Sequence, residues 1–255
     1  MGSITKSGIT FNGVSSVGMG VVIQTPPVYE FPAKRYELIQ IQGKNGDILI
    51  DTNAYNNVNR QYNIASALPD GNFINKVRQI VDWLSSVSGY ARLEDSYEPD
   101  YYRLAMFRSG GQLQNIFNKA TGMVVTFECK PQRFLKSGDI PVVLNLNTWY
   151  ELKNEQSYIS LPEISINATN FVITIEYGET PEDSGNLKTV ISIDGDSGNA
   201  KIDSELEDCY NNSGYLNNKI SISNGFPKLY PGRNWIKIES DEFVSASIKP
   251  RWWVL

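Results

Sequence analysis

Four carboxylates crowd the stretch Arg92 to Tyr102 (RLEDSYEPDYY): Glu94, Asp95, Glu98 and Asp100. Two carboxyl groups facing each other across a sugar can run glycoside hydrolysis, one as acid and the other as base or nucleophile. Closeness in sequence does not supply that facing geometry, and acidic side chains around Pro99 form a solvated turn more readily than a catalytic pair. The expectation is a solvated turn, with a glycosidase kept only as a third reading. Tyr97, Tyr101 and Tyr102 beside the cluster are candidate sugar platforms or interface residues, and could equally bury their rings with the hydroxyls wet.

Other chemistry is excluded by what is absent. The chain of 255 residues has no histidine, which removes Ser-His-Asp and Cys-His machinery and His-ligated metal. Cys129 and Cys209 stand far apart with no C-x-x-C spacing and read as buried small hydrophobes. Asp194-Gly195-Asp196-Ser197-Gly198-Asn199, with Glu205 further on, partly imitates a calcium loop. Gly198 and Asn199 stand where a ligand and the obligatory glycine belong, so a glycine-rich β turn is expected. No phosphate-cradling glycine motif occurs. No cofactor and no metal are expected. The opening segment Met1 to Thr10 lacks the apolar core of a secretory leader, and no run is long enough to span a membrane. Folding in a reducing cytoplasm is expected, so the tripeptides at Asn167 and Asn211 are not read as glycosylation acceptors.

These residues need elements to hold them. Phe73, Ile74, Val77, Ile80, Val81, Leu84 and Val87 recur on one helical face, predicting a helix over about 73–88 capped by Asn72 and ended by Gly89. Its polar face implies that it covers a sheet, with Trp83 at the edge of the apolar stripe. Nearly everything else reads as strand. Tyr36 to Gln42 and Asp47 to Thr52 flank Gly43-Lys44-Asn45-Gly46, a hairpin turn. Short apolar runs at Ile164–Ile166, Phe171–Tyr177, Thr189–Ile193, Ile220–Ile222, Trp235–Ile238 and Val244–Ile248 predict an antiparallel sandwich. Trp252 and Trp253, adjacent on a closing strand, would point to opposite faces, one into the core and the other toward a loop, a subunit or a sugar.

Charge divides the chain. Residues 1–138 carry 14 Lys and Arg against 11 Asp and Glu, net +3, whereas residues 139–255 carry 9 against 17, net −8. With the breaker segment Lys136 to Pro141, this predicts two domains, 1–138 and 139–255.

Taken in order, the motifs resemble a known family. Phe11-Asn12-Gly13 with Ser16 and Gly18, the hairpin at Gly43 to Gly46, Arg92 to Tyr102, and Phe127-Glu128-Cys129-Lys130-Pro131 are similar to the amino-terminal half of siphophage distal tail proteins. Leu161 to Ile166, Ile202 to Glu205, Phe226 to Leu229, Pro231 to Asn234 and Pro250 to Trp253 resemble the second half of that family. Gln132 departs from the pattern where members carry an aromatic, and Gly178 to Leu187 forms a longer polar loop. The resemblance implies a mainly β protein with one helix. Its amino-terminal split-barrel-like domain would close a hexameric ring, and its carboxy-terminal galectin-like antiparallel β-sandwich would project outward. It also implies a non-enzymatic component of the tail tip or baseplate of a phage infecting Gram-positive bacteria. The ring would join the tail tube protein to the tail-associated tip protein, anchor receptor-binding proteins in some phages, and let DNA pass through passively. The alternative from another class is a carbohydrate-binding module recognising host wall polysaccharide, with Tyr97, Tyr101, Tyr102, Trp252 and Trp253 as platforms.

Overall fold

The structure is a computed structural model that describes residues 7–67, 72–108, 114–116 and 120–255. The first six residues, part of the segment considered above for a leader, lie outside this range. Contacts divide the chain into two compact units, residues 1–133 with Leu255, and residues 134–254.

The first unit contains β1 (Ile9–Phe11), β2 (Val14–Ser15), β3 (Val21–Ile23), β4 (Lys34–Ile39), β5 (Ile48–Tyr55), β6 (Val58–Ala67), α1 (Phe73–Leu84), β7 (Ala91–Asp95), β8 (Tyr101–Phe107), β9 (Gln114–Ile116) and β10 (Ala120–Leu135). Its main sheet runs β2-β1-β7-β8-β10-β6-β3, with β9 also on β10, and curls into a half barrel. Alternation builds it. In β6, Val58, Arg60, Tyr62 and Ile64 turn inward, and the register sets Arg60, Tyr62 and Ile64 opposite Phe127, Val125 and Met123 of β10. Ile9 and Phe11 of β1 and Ile80, Trp83 and Leu84 of α1 close the core over them. The Phe11 and Phe127 rings meet at 4.9 Å.

Asn72 caps α1 as expected, accepting from the Asn75 amide at 3.2 Å. The helix stops at Leu84, short of the expected 88. Ser85, not Gly89, ends it, and the Ser86 hydroxyl turns back to the Trp83 carbonyl at 2.7 Å. Serine hydroxyls compete for backbone partners and shorten helices in this way. The buried stripe is narrower than the sequence suggests: Ile74 and Val81 are exposed, while Trp83, expected at the edge, is buried with its indole N–H on the Phe11 carbonyl at 3.3 Å.

The second unit contains β11 (Val142–Leu144), β12 (Tyr150–Asn154), β13 (Glu163–Thr169), β14 (Val172–Tyr177), β15 (Leu187–Ile193), β16 (Asp196–Asp203), β17 (Asp208–Asn211), β18 (Gly214–Tyr215), β19 (Ile220–Ser223), β20 (Gly232–Glu239) and β21 (Glu242–Lys249). Six strands in the order β11-β21-β13-β16-β17-β18 and five in the order β12-β20-β14-β15-β19 share one core, an antiparallel sandwich. Ile164, Ile166, Ile202 and Ile248 from one sheet meet Ile173, Ile175, Ile191, Ile236 and Ile238 from the other. Burying each such side chain contributes about 1.5–3 kcal/mol.

The segment Asp194 to Asn199 is not a turn throughout. Asp194 and Gly195 alone turn the chain, with Gly195 at φ 98°, and Asp196 onward is β16. The buried Ser197 hydroxyl secures that strand on the Ala168 carbonyl at 2.7 Å. Lys136–Asp139, at the expected junction, forms a short 3-10 turn in the second unit. Gly138 there lies so close to the chain end that a Cβ would come within 2.4 Å of the Trp252 amide nitrogen. Cys129 and Cys209 are buried and free. Among the described residues no helix is long and apolar enough to cross a membrane, and no group of His, Cys, Asp or Glu is arranged to hold a metal ion.

Candidate functional site

The acidic stretch is not the solvated turn that its composition suggests. Asp95 ends β7 facing inward, and its Oδ2 accepts from the Tyr62 hydroxyl at 2.7 Å and from Arg60 Nη2 at 3.0 Å. Its other oxygen accepts the amides of Tyr97 and Glu98 at 2.8 and 3.0 Å, which fixes the turn into β8. Glu98 faces three guanidinium groups, Arg133 at 2.7 Å, Arg103 at 3.2 Å and Arg60 at 3.5 Å. Arg60 is only 2% exposed. These arginines come from β6, β8 and β10, so only the folded sheet assembles them.

The same network holds the root of a ribbon. Arg60 Nη1 donates to the Val28 carbonyl at 3.1 Å, and its guanidinium lies 4.1 Å from the centre of the Tyr29 ring. Glu30 accepts the Asn59 amide at 3.2 Å. Past this anchored segment, β4 and β5 form a two-stranded sheet of their own. Lys34 pairs with Asp51 at its base, Leu38 opposes Leu49, and Ile39 opposes Ile48. Successive side chains on a strand point to opposite faces, so the two pairs place apolar groups on both sides of the ribbon. Leu38 and Leu49 are 59% and 56% exposed, and Tyr36, Ile39, Ile41, Ile48 and Ile50 are exposed with them. Water solvates such a surface poorly, and contiguous exposed apolar patches mark interaction sites.

Of the candidate aromatics, three lie in the first unit. Tyr102 is 9% exposed, with the Arg92 guanidinium 3.8 Å from its ring centre. Tyr101 lies beside Arg133 at 5.5 Å, and Tyr97 is at the surface of the turn. The other two belong to the second unit. Trp252 packs against the sandwich core, and Trp253 stacks on Tyr158 at 4.5 Å while donating to the Ile159 carbonyl at 2.9 Å. The ribbon residues were missed by reading from motif chemistry. The signal was the run Ile48-Leu49-Ile50, since three consecutive apolar residues on a strand cannot all face one core.

Burial pushes the Asp95 carboxyl up, but the Tyr62 hydrogen bond and the Arg60 charge outweigh it and hold the group below its usual range. In the second unit Asp203 is held low against burial by Arg251, which reaches both of its oxygens at 2.7 and 2.8 Å. A carboxylate with a lower pKa folded than unfolded adds stability that is fully present above its unfolded value of about 3.9 and is lost as pH falls below it. The urea midpoint is therefore expected to fall once the pH drops below about 4. A midpoint unchanged down to pH about 2 would contradict the assigned pairs.

No family model and no curated protein matches the sequence. Solved structures do match. One is SPP1 Dit (gp 19.1), described as a paradigm of the hub adsorption apparatus in phages infecting Gram-positive bacteria. It is 12% identical, with a TM-score of 0.64 over 98% of this chain and 99% of that one. Another is a chain of the phage P2 baseplate in its activated conformation with Ca. It is 9% identical, with a TM-score of 0.51 over 95% of this chain and 96% of that one. From the half barrel with its ribbon to the sandwich, the chain has the fold of phage hub and baseplate proteins.

Proposed function

We propose that the protein is a structural, non-enzymatic component of a siphophage tail tip, a hexameric ring at the distal end of the virion tail. Residues 1–138 close the ring, and 139–255 form a separate sandwich domain. The ring joins the tail tube protein to the tail-associated tip protein and the host-adhesion apparatus, including receptor-binding proteins. It is made in the host bacterial cytoplasm, and DNA passes through it without being gripped, in keeping with a chain that has no basic run. The hub fold along nearly the whole chain supports this reading.

The ribbon carries it. An isolated two-stranded hairpin is marginal in water, and this one presents apolar side chains on both faces. A second copy of the chain would cover them, and a head-to-tail contact whose rotation closes generates a ring. The acidic stretch offers no hydrolytic pair in support of an enzyme. Asp95 is locked to Arg60 and Tyr62, and Glu98 to three arginines.

Native mass measurement of the full chain at micromolar concentration is expected to give a particle of six chains of 28.6 kDa each. Changing Leu38 and Leu49 together to Lys is expected to leave a folded monomer, because each charge would have to be desolvated at the contact. The reading is overturned by a parent protein that stays monomeric even with the tail-associated tip protein present, or by a doubly charged variant that assembles like the parent.

A further inference from the structure

Asparagine followed by glycine can modify itself. The glycine amide nitrogen attacks the asparagine Cγ, the new nitrogen–carbon bond closes a succinimide, and the side-chain nitrogen leaves as ammonia, taking the proton of the glycine amide. Water then opens the ring at either carbonyl, giving aspartate or, through a lengthened main chain, isoaspartate. Glycine favours the attack because no Cβ screens its nitrogen. The sequence has three such pairs, Asn12-Gly13, Asn45-Gly46 and Asn224-Gly225. All three asparagines and their glycines are exposed, so access to water does not separate them.

Local geometry does separate them. Ring closure needs a carboxamide free to swing over the next amide and a main chain free to turn with it. Asn12 has φ 49° and Gly13 φ 77° in the two-residue turn between β1 and β2, where Phe11 pairs with Val14. The Asn12 amide also donates to the Arg92 carbonyl at 2.9 Å. Asn224 has φ 60°, and its carboxamide donates to the Lys188 carbonyl at 2.8 Å. Even the aspartyl counterpart Asp194-Gly195 is held, because the Gly195 amide donates to Asn170 Oδ1 at 2.6 Å. The ribbon tip differs. Its hydrogen-bonded turn ends at Lys44, whose amide donates to the Ile41 carbonyl at 3.1 Å, and Asn45 and Gly46 lie past it in a bend outside both strands. Among the described residues the Asn45 carboxamide has no hydrogen-bond partner, and its backbone is not left-handed.

We infer that Asn45 is a modification site, deamidating spontaneously and irreversibly in the folded protein while Asn12 and Asn224 persist. The product puts a carboxylate at the ribbon tip, between the exposed Ile41 and Ile48 in sequence. A charge there has to be desolvated in any contact that the tip makes. Ageing therefore weakens the assembly of free chains, and it acts in one direction only. That consequence rests on the ribbon being the contact between copies, whereas the site itself stands whether or not the protein forms a ring.

The test is to keep the full-length protein for weeks at neutral and at mildly alkaline pH, digest it in acid, where the reaction stops, and map its peptides by mass spectrometry. Conversion is expected at Asn45 and at neither of the other two pairs, and it should quicken with pH because the attacking amide must lose its proton. Gly46→Ala adds a Cβ that meets nothing within 4 Å but screens the nitrogen. It is expected to slow conversion roughly tenfold, about 1.4 kcal/mol of barrier. In urea, where no turn survives, the three asparagines are expected to convert alike. Retention of Asn45, equal conversion of the three in the folded protein, or a preference for Asn45 that persists in urea would each overturn the inference. Asn45→Asp, which carries the charge of the product from the start, is expected to raise severalfold the concentration at which copies associate. Association identical to that of the parent would overturn the effect on assembly, a result read independently of the peptide map.

Discussion

Replacing Arg60 by methionine is expected to lower the stability of the first unit by about 3–5 kcal/mol, the usual cost of removing one partner from a buried ion pair. Methionine keeps much of the volume, so the loss reads the charge and not a cavity. Glu98 would retain Arg133 and Arg103, whereas Asp95 would be left with the Tyr62 hydroxyl and two amides for its whole buried charge. The melting transition of the unit should fall by roughly 10 °C or more. The deficit should shrink in acid, since a protonated Asp95 no longer needs a cation. A loss below about 1 kcal/mol, or one that does not shrink as the pH falls below about 4, would mean that the Arg60–Asp95 pair contributes little. Because Arg60 also holds Val28 and Tyr29, the variant should assemble less well under conditions where it remains folded.

The second large effect is expected at Arg251. Its guanidinium grips Asp203 with both nitrogens and reaches Glu163 at 2.9 Å, and its backbone has φ 55°, a conformation that side-chain-bearing residues adopt at a cost. Arg251→Ala should lose about 3 kcal/mol, leaving the Asp203 carboxylate buried without its cation. Arg251→Gly loses the same ion pairs but relaxes the left-handed backbone, so it should be about 1 kcal/mol less damaging than alanine. Calorimetry on the two variants settles the order. If glycine is as bad as alanine or worse, the left-handed backbone is not a cost that the ion pairs offset.

The parts of the fold that were legible in the sequence are those where one face is purely apolar. Ile164, Ile166, Ile173, Ile175, Ile236 and Ile238 alternate cleanly because they fill the space between two sheets. β16 and β17 escaped notice because, apart from Ile202 near the end of β16, their inward residues in the core are Ser197, Ala200 and Cys209, small groups that do not stand out against outward Asn199 and Lys201. The acidic stretch was misread for a different reason. Its partners, Arg60, Arg103 and Arg133, are scattered over three strands, and no local pattern announces that Asp95 will be buried. The hairpin itself could be read from Gly43 to Gly46, but its isolation from the main sheet is a property of the topology. Trp252 and Trp253 were expected to part to opposite sides, and Tyr158, which takes the second of them, gives no sign of that role in the sequence.

Each unit also holds one buried thiol, Cys129 in the first and Cys209 in the second. Burial pushes them up to about 12 and about 11, so at neutral pH neither is a nucleophile. An alkylating reagent can mark each cysteine only after its own unit has opened. The native chain therefore carries two independent clocks: the rates at which mass labels accumulate on Cys129 and Cys209 in one tube time the opening of half barrel and sandwich separately, with no engineered probe.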